Sequence, residues 1–250
     1  MEYFLWIITF ITGACAGSFL NVCICRMPAG ESVLKPPSHC PSCGKRLRFY
    51  DLVPVFSYLF LRGKCRYCGC GISLQYPAVE LTTGVLFTLA VVKHGLTPAT
   101  LRDILLFSVV IPAALIDIKH RIIPNRLNLA GALLGLPLII ESKYTFLSGL
   151  AGFLAGGGLL LLIALVSRGG MGGGDIKLAS VMGLLLGWKL LLVALFLAFL
   201  TGGLAGITML LLEIVKRKDP VPFGPFLAAG AVAAALAGDK MIGWYSRLYG

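Results

Sequence analysis

Residues Phe146 to Leu178 read F-L-S-G-L-A-G-F-L-A-G-G-G-L-L-L-L-I-A-L-V-S-R-G-G-M-G-G-G-D-I-K-L. As far as Val166 the run carries no charge, and its length fits one helical crossing of a bilayer, whose apolar core takes about 20 residues. From Ser167 to Leu178 the character changes: five glycines surround a single carboxylate, Asp175, and a second apolar segment follows. Glycine lets a backbone turn left-handed and approach another group closely, so this run reads as a shaped site. The competing reading is a flexible loop between two membrane segments.

The rest of the chain supports the membrane reading. Of 250 residues 58% are hydrophobic, and mean hydropathy is +0.89, well above a soluble domain. Apolar segments run from Tyr3 to Cys25, Pro77 to Val92, Leu101 to Ile118, Leu127 to Ile140, Phe146 to Val166, Ile176 to Gly187, Leu190 to Val215 and Phe223 to Ala237. The expected fold is therefore an all-α polytopic membrane protein of about eight transmembrane helices. The fourth and sixth segments are shorter than a full crossing wants. The first has no basic residues before it and no A-x-A site after it, and reads as a retained helix.

If the segments alternate, sixteen of the 22 Lys and Arg fall in loops on one side and six on the other. The richer side is expected to face the cytoplasm. The net charge of +11 then reports topology, and a nucleic-acid partner is not expected.

Three divisions are expected: residues 1–25 as the first transmembrane helix, 26–76 as a cytoplasmic four-cysteine domain, and 77–250 as the membrane catalytic domain. Within the second, Cys40-Pro-Ser-Cys43 and Cys65-Arg-Tyr-Cys68 have the spacing by which two knuckles give four thiolates to one tetrahedral zinc. A redox C-x-x-C and paired disulfides are the alternatives, but a cytoplasmic domain sits in a reducing compartment, where structural disulfides rarely persist. So few aliphatic residues bury little core, so the metal would supply folding free energy, and four thiolates leave no open position for catalytic water. Cys70 reads as a spare thiol or a slipped ligand. Cys15, Cys23 and Cys25 read as small apolar residues in the first helix.

Acids are scarce, eleven in all, so Glu80, Asp117 and Asp175 stand out at membrane segments. Asp117 ends the third segment and Asp175 begins the sixth, which puts both at the same membrane edge. Two adjoining carboxyl groups can share a proton and act as general base and general acid, the arrangement of aspartic proteases. Taken singly, Asp175 reads as a helix cap and Asp117 as a partner for Lys119 or Arg121. His39, His94 and His120 are scattered.

These residues carry a family resemblance over nearly the whole chain. Gly17-Ser-Phe-Leu-Asn-Val22, the paired cysteines with Arg62-Gly-Lys64, Tyr76-Pro-Ala-Val-Glu80, Asp117 with Ile123-Pro-Asn125, Gly172-Gly-Gly-Asp175, and Pro222-Phe-Gly-Pro-Phe-Leu-Ala228 resemble the motifs of type 4 prepilin peptidases. The resemblance implies a leader peptidase and N-methyltransferase of the bacterial inner membrane, serving pilus or type II secretion systems. Its substrates would be prepilins or pseudopilins, cut after a basic leader on the cytoplasmic side. Its catalytic residues would be Asp117 and Asp175, and its methyl donor S-adenosylmethionine. Archaeal preflagellin peptidases lack the cysteine domain, which favours the bifunctional form.

No G-x-G-x-x-G follows a strand, so no Rossmann site for the donor is expected. Gly17, Asn21 and Glu80, small or polar at the membrane edge, are the candidate cofactor-binding residues. Membrane lipids are expected partners too, since anionic headgroups would hold a basic leader against a basic face. Two other classes remain open on the residues alone: a proton- or cation-coupled transporter using the same aspartates, and a metal-dependent assembly factor.

Overall fold

A computed structural model describes residues 2–168, 170–213 and 221–249. Gly169 of the glycine run, Ile214 and Val215 at the end of one apolar segment, and Lys216, Arg217 and Lys218 lie outside the described residues. The helices are α1 (Glu2–Arg26), α2 (Phe56–Phe60), α3 (Gln75–His94), α4 (Pro98–His120), α5 (Asn125–Ile139), α6 (Lys143–Val166), α7 (Gly173–Leu211) and α8 (Gly224–Tyr249). Among the described residues there is no β-ladder, and two isolated bridges, His39 with Arg46 and Lys64 with Gly71, are all the strand pairing. Among the described residues six helices, α1, α3, α4, α6, α7 and α8, are long and apolar enough to cross a membrane.

Contacts divide the chain after Leu96. In the first unit α1 and α3 pack through small residues: a Cβ on Gly13 would stand 2.9 Å from Gly84 Cα, and one on Gly17 would stand 2.8 Å from Glu80 Cα. The sequence boundary at residue 77 separates α3 from α1; in the structure α3 groups with α1 and the cysteine segment, because this glycine seam joins them. Asn21, 1% exposed, closes the seam by donating from Nδ2 to the Tyr76 carbonyl at 3.1 Å and accepting from Gln75 Nε2 at 3.3 Å.

In the second unit Pro98 opens α4, where its missing N–H costs nothing. The Ser142 side chain caps α6 by accepting the Thr145 N–H at 3.1 Å. Helix α6 lays Gly149, Gly152 and Gly156 against the carbonyls of Leu184, Gly183 and Ala179, where any Cβ would meet the α7 backbone. Helix α7 breaks at Gly187, whose φ of 75° and ψ of 166° are non-helical. A Cβ on Gly183 would stand 3.0 Å from Leu191 Cδ2, although eight residues of straight helix would separate the two by about 12 Å. The second arm therefore doubles back along the first. With these two arms and the 15-residue α5, the described residues hold the eight apolar helical segments that the sequence predicts. The second arm continues against α8, where Gly230 meets Ala194 and Ala198.

Candidate active site and candidate metal centre

Asp117 stands in the last turn of α4, 6% exposed. The helix stops just after it: Arg121 turns left-handed at φ 55° and returns its N–H to the Asp117 carbonyl at 2.8 Å. The side chain has its own partner, since Oδ2 accepts the N–H of Gly224, the first residue of α8, at 2.8 Å. A Cβ on Gly224 would lie 2.8 Å from that oxygen and 3.0 Å from Asp117 Cβ, so the approach requires glycine. A helix N-terminus presents free N–H groups and favours an anion.

Asp175 stands in the first turn of α7, which meets the link that follows Asp117 at Ile123 and Asn125. Two acids 58 positions apart in the chain are thus brought to neighbouring helix ends. A Cβ on Gly172 would lie 2.8 Å from Asp175 Oδ2, and one on Gly174 would lie 2.9 Å from Ile123 Cβ, whereas Gly173 faces open space. Two of the three glycines before the acid are therefore fixed by close approach. Asp175 Oδ1 is buried with no hydrogen-bond partner among the described residues.

Helix α5 is tied to the first turn of α7. Lys177 Nζ donates to Asn125 Oδ1 at 2.7 Å, and Asn128 Nδ2 reaches the Gly174 carbonyl at 3.5 Å. The four-residue link from α4 to α5 therefore ends against the first turn of α7. Sequence reading finds Asp117, Asp175 and the Ile123-Pro-Asn125 motif, but not Gly224 as the donor to Asp117 nor the Lys177 to Asn125 bond. Both join segments that are remote in the chain.

In the first unit the Sγ atoms of Cys40, Cys43, Cys65 and Cys68 all lie within 4.8 Å of one another. A tetrahedral thiolate centre with metal–sulfur bonds of about 2.3 Å needs sulfurs about 3.8 Å apart, and Cys40 and Cys68 are separated by 3.8 Å. The two knuckles have one design. Cys40 N–H donates to the Lys45 carbonyl at 3.0 Å and Gly44 N–H to Cys40 at 2.9 Å; Cys65 N–H donates to Cys70 at 2.7 Å and Gly69 N–H to Cys65 at 2.9 Å. Gly44 and Gly69 turn left-handed at φ 67° and 72°, as each return requires. Cys70 therefore stands where the first knuckle has Lys45, outside the four, with Sγ 3.5 Å from Cys40. The N–H of Cys43, opposed by burial and helped by the N–H of Ser42 and the thiols of Cys70 and Cys65, brings the Cys40 thiol down to about 6. That favours the thiolate, the form that binds metal.

One residue that sequence reading passes over holds the second knuckle. Asp51, with a side chain 2% exposed, accepts from Arg66 Nε at 2.7 Å, Tyr67 Oη at 3.0 Å and Arg48 N–H at 3.1 Å. Burial pushes its carboxyl up, but these donors outweigh it and hold the group below the usual carboxylate range.

Gly17, Asn21 and Glu80 do gather at the junction of α1 and α3. Gly17 serves the helix contact, and Asn21 bonds Tyr76 and Gln75. Glu80, 7% exposed, accepts the Val55 N–H at 2.7 Å.

Comparison with known proteins follows the same division. The bacterial peptidase A24 N-terminal domain matches residues 11–94, and the type IV leader peptidase family matches residues 104–207. A prepilin leader peptidase/N-methyltransferase of Bacillus subtilis (strain 168) is 40% identical over 247 residues, covering 96% of this chain and 98% of that protein. One of Stutzerimonas stutzeri is 33% identical, covering 94% of this chain and 91% of its own. One of Pseudomonas aeruginosa is 32% identical, covering 97% and 93%. No solved structure matches the chain.

Proposed function

This chain belongs to the type IV leader peptidase family, and from that membership we propose that it removes the basic leader of prepilins or pseudopilins and methylates the new N-terminal residue. The observation that carries the peptidase reading is the meeting of the Asp175 turn of α7 with the link that follows Asp117, where Gly174 packs against Ile123 and Lys177 bonds Asn125. One carboxylate takes a proton from water as it attacks the scissile carbonyl carbon, and the other donates a proton to the carbonyl oxygen. The Gly224 N–H fixes the Asp117 rotamer during this exchange. Gly172 and Gly174, by closely approaching Asp175 and Ile123, set the acid in place at the start of α7.

The four cysteines hold zinc, which closes its shell with thiolates and serves folding rather than chemistry. S-adenosylmethionine supplies the methyl group. The protein lies in the bacterial inner membrane with the cysteine segment in the cytoplasm, a reading that the distribution of Lys and Arg supports.

Purified protein given a prepilin and labelled methyl donor is expected to release the leader and label the new amine. Asp117→Asn and Asp175→Asn keep the shape of the side chain and remove its acid–base function, so each should cost about 10² to 10⁴ in cleavage. A folded variant that cuts at the wild-type rate sinks the dyad. Zinc content near zero in reduced protein sinks the metal assignment.

A further inference from the structure

The cysteine segment carries an apolar face that its own unit leaves uncovered. On α2, Phe56, Leu59 and Phe60 stand three and four residues apart, hence on one side of the helix, and are 59%, 63% and 84% exposed. Phe49, in the short 3-10 turn before α2, is 83% exposed, and Leu52 and Val53 are exposed beside it. Contiguous large apolar side chains on an extramembrane segment mark an interaction surface.

One hydrogen bond fixes how deep this face sits. Val55, immediately before α2, donates its N–H to Glu80 Oε2 at 2.7 Å. Glu80 lies five residues beyond Gln75, or about 7.5 Å along the axis of α3. Helix α3 has 20 residues, about 30 Å, which is the apolar thickness of a bilayer, so Gln75 stands near the membrane boundary and Glu80 inside it. Val55 holds φ at 63°, a conformation that a β-branched residue adopts at a cost, and the next residue is Phe56. The segment from residue 27 to 74 is also tied at both ends to membrane-crossing helices, α1 and α3. Around the apolar face stand the exposed cations Arg48, Arg62 and Lys64. Aromatic and aliphatic groups on one face with Lys and Arg beside them form the pattern of a helix lying in a membrane interface, where the apolar face enters by about 5–10 Å. The depth set by Glu80 falls in that range.

We infer that α2 and the turn before it form an interfacial foot, with Phe49, Phe56, Leu59 and Phe60 entering the headgroup–acyl boundary of the bilayer and Arg48, Arg62 and Lys64 engaging anionic phospholipid headgroups. The foot goes beyond the cleavage and methylation chemistry and does not depend on it.

The test uses the full chain carrying Phe60→Trp, reconstituted in vesicles of phosphatidylcholine and phosphatidylglycerol, with wild-type emission subtracted to remove Trp6, Trp188 and Trp244. Circular dichroism checks the fold, and Leu59→Trp on the same face replaces Phe60→Trp should that variant fail to fold. The added tryptophan should emit at shorter wavelength than in water and lose most of its emission to lipids brominated near the headgroup end of the acyl chain. Emission as in water without quenching shows the face in solvent and overturns the foot. Short-wavelength emission that bromine at no depth quenches shows a protein surface over the face and also overturns it. Replacing phosphatidylglycerol by phosphatidylcholine should weaken quenching in this variant, and much less when Arg48, Arg62 and Lys64 are all Gln. Equal quenching in both lipids overturns the headgroup contacts.

Discussion

Gly224 and Asp117 are 107 positions apart, yet the peptide N–H of one is the hydrogen-bond partner of the other. A methyl group at Gly224 would displace the carboxylate, and misplacement of about 1 Å at a reacting group costs about 10² in rate. Gly224→Ala is therefore expected to lower single-turnover leader cleavage by about that factor with the fold intact. Gly173→Ala adds a methyl group into open space and should leave the rate near wild type. The aspartates are legible in the sequence because acids are so scarce there, whereas Gly224 is one of 31 glycines and its role exists only in three dimensions. Asp51 escapes for a similar reason: its partners Arg66 and Tyr67 lie within the second knuckle, 15 and 16 residues away. Its carboxyl is held below the usual range, so its contribution is present in full above the unfolded value of about 3.9 and is lost as pH falls through the lower folded value. Asp51→Asn should melt at a lower temperature than wild type at neutral pH, and the gap should close in acid below about pH 4. Melting curves of the two proteins against pH check this.

Helix α7 shows what an apolar pattern can and cannot specify. Hydropathy stays high on both sides of Gly187, and the sequence signals the break through a short gap between two apolar segments. The direction of the second arm depends on a backbone conformation that glycine adopts and other residues avoid. Ser148 Oγ also fills the place a side chain would need. Gly187→Ala should therefore cost about 1–3 kcal/mol in stability from backbone strain alone, and the clash adds to it. Thermal inactivation of the detergent-solubilised protein measures the loss. A wild-type midpoint would mean that the reversal is held by the packing of α6 against both arms and not by Gly187. The stripe Gly149, Gly152 and Gly156 lets α6 pack closely against the first arm of α7.

At the scale of the molecule, composition establishes a membrane protein, and membership in the leader peptidase family leaves the transporter and assembly-factor readings without support. The division after Leu96 is not legible from hydropathy, because α3 is as ready to pair with a later helix as with α1; the choice is made by the glycines at 13, 17 and 84. That division has a functional consequence. The four cysteines lie in the first unit, while Asp117, Asp175, Gly224 and the α5 residues that bond the start of α7 lie in the second. Metal binding and folding are coupled in a segment with so small a core, so a chelator, or Cys65→Ser, should unfold residues 27–74. Among the described residues, Asp117 bonds Gly224 and the start of α7 bonds α5, all within the second unit, so the pair should keep its geometry. Single-turnover leader cleavage at saturating prepilin is then expected to stay within about tenfold of the metal-replete rate, a change of about 1.4 kcal/mol in the barrier. Proteolysis of the cysteine segment, run on the same samples, verifies that it has come apart. Cleavage abolished together with the metal would show that the acid–base site needs the first unit to form, and that the two units are one catalytic structure despite the separation of their contacts.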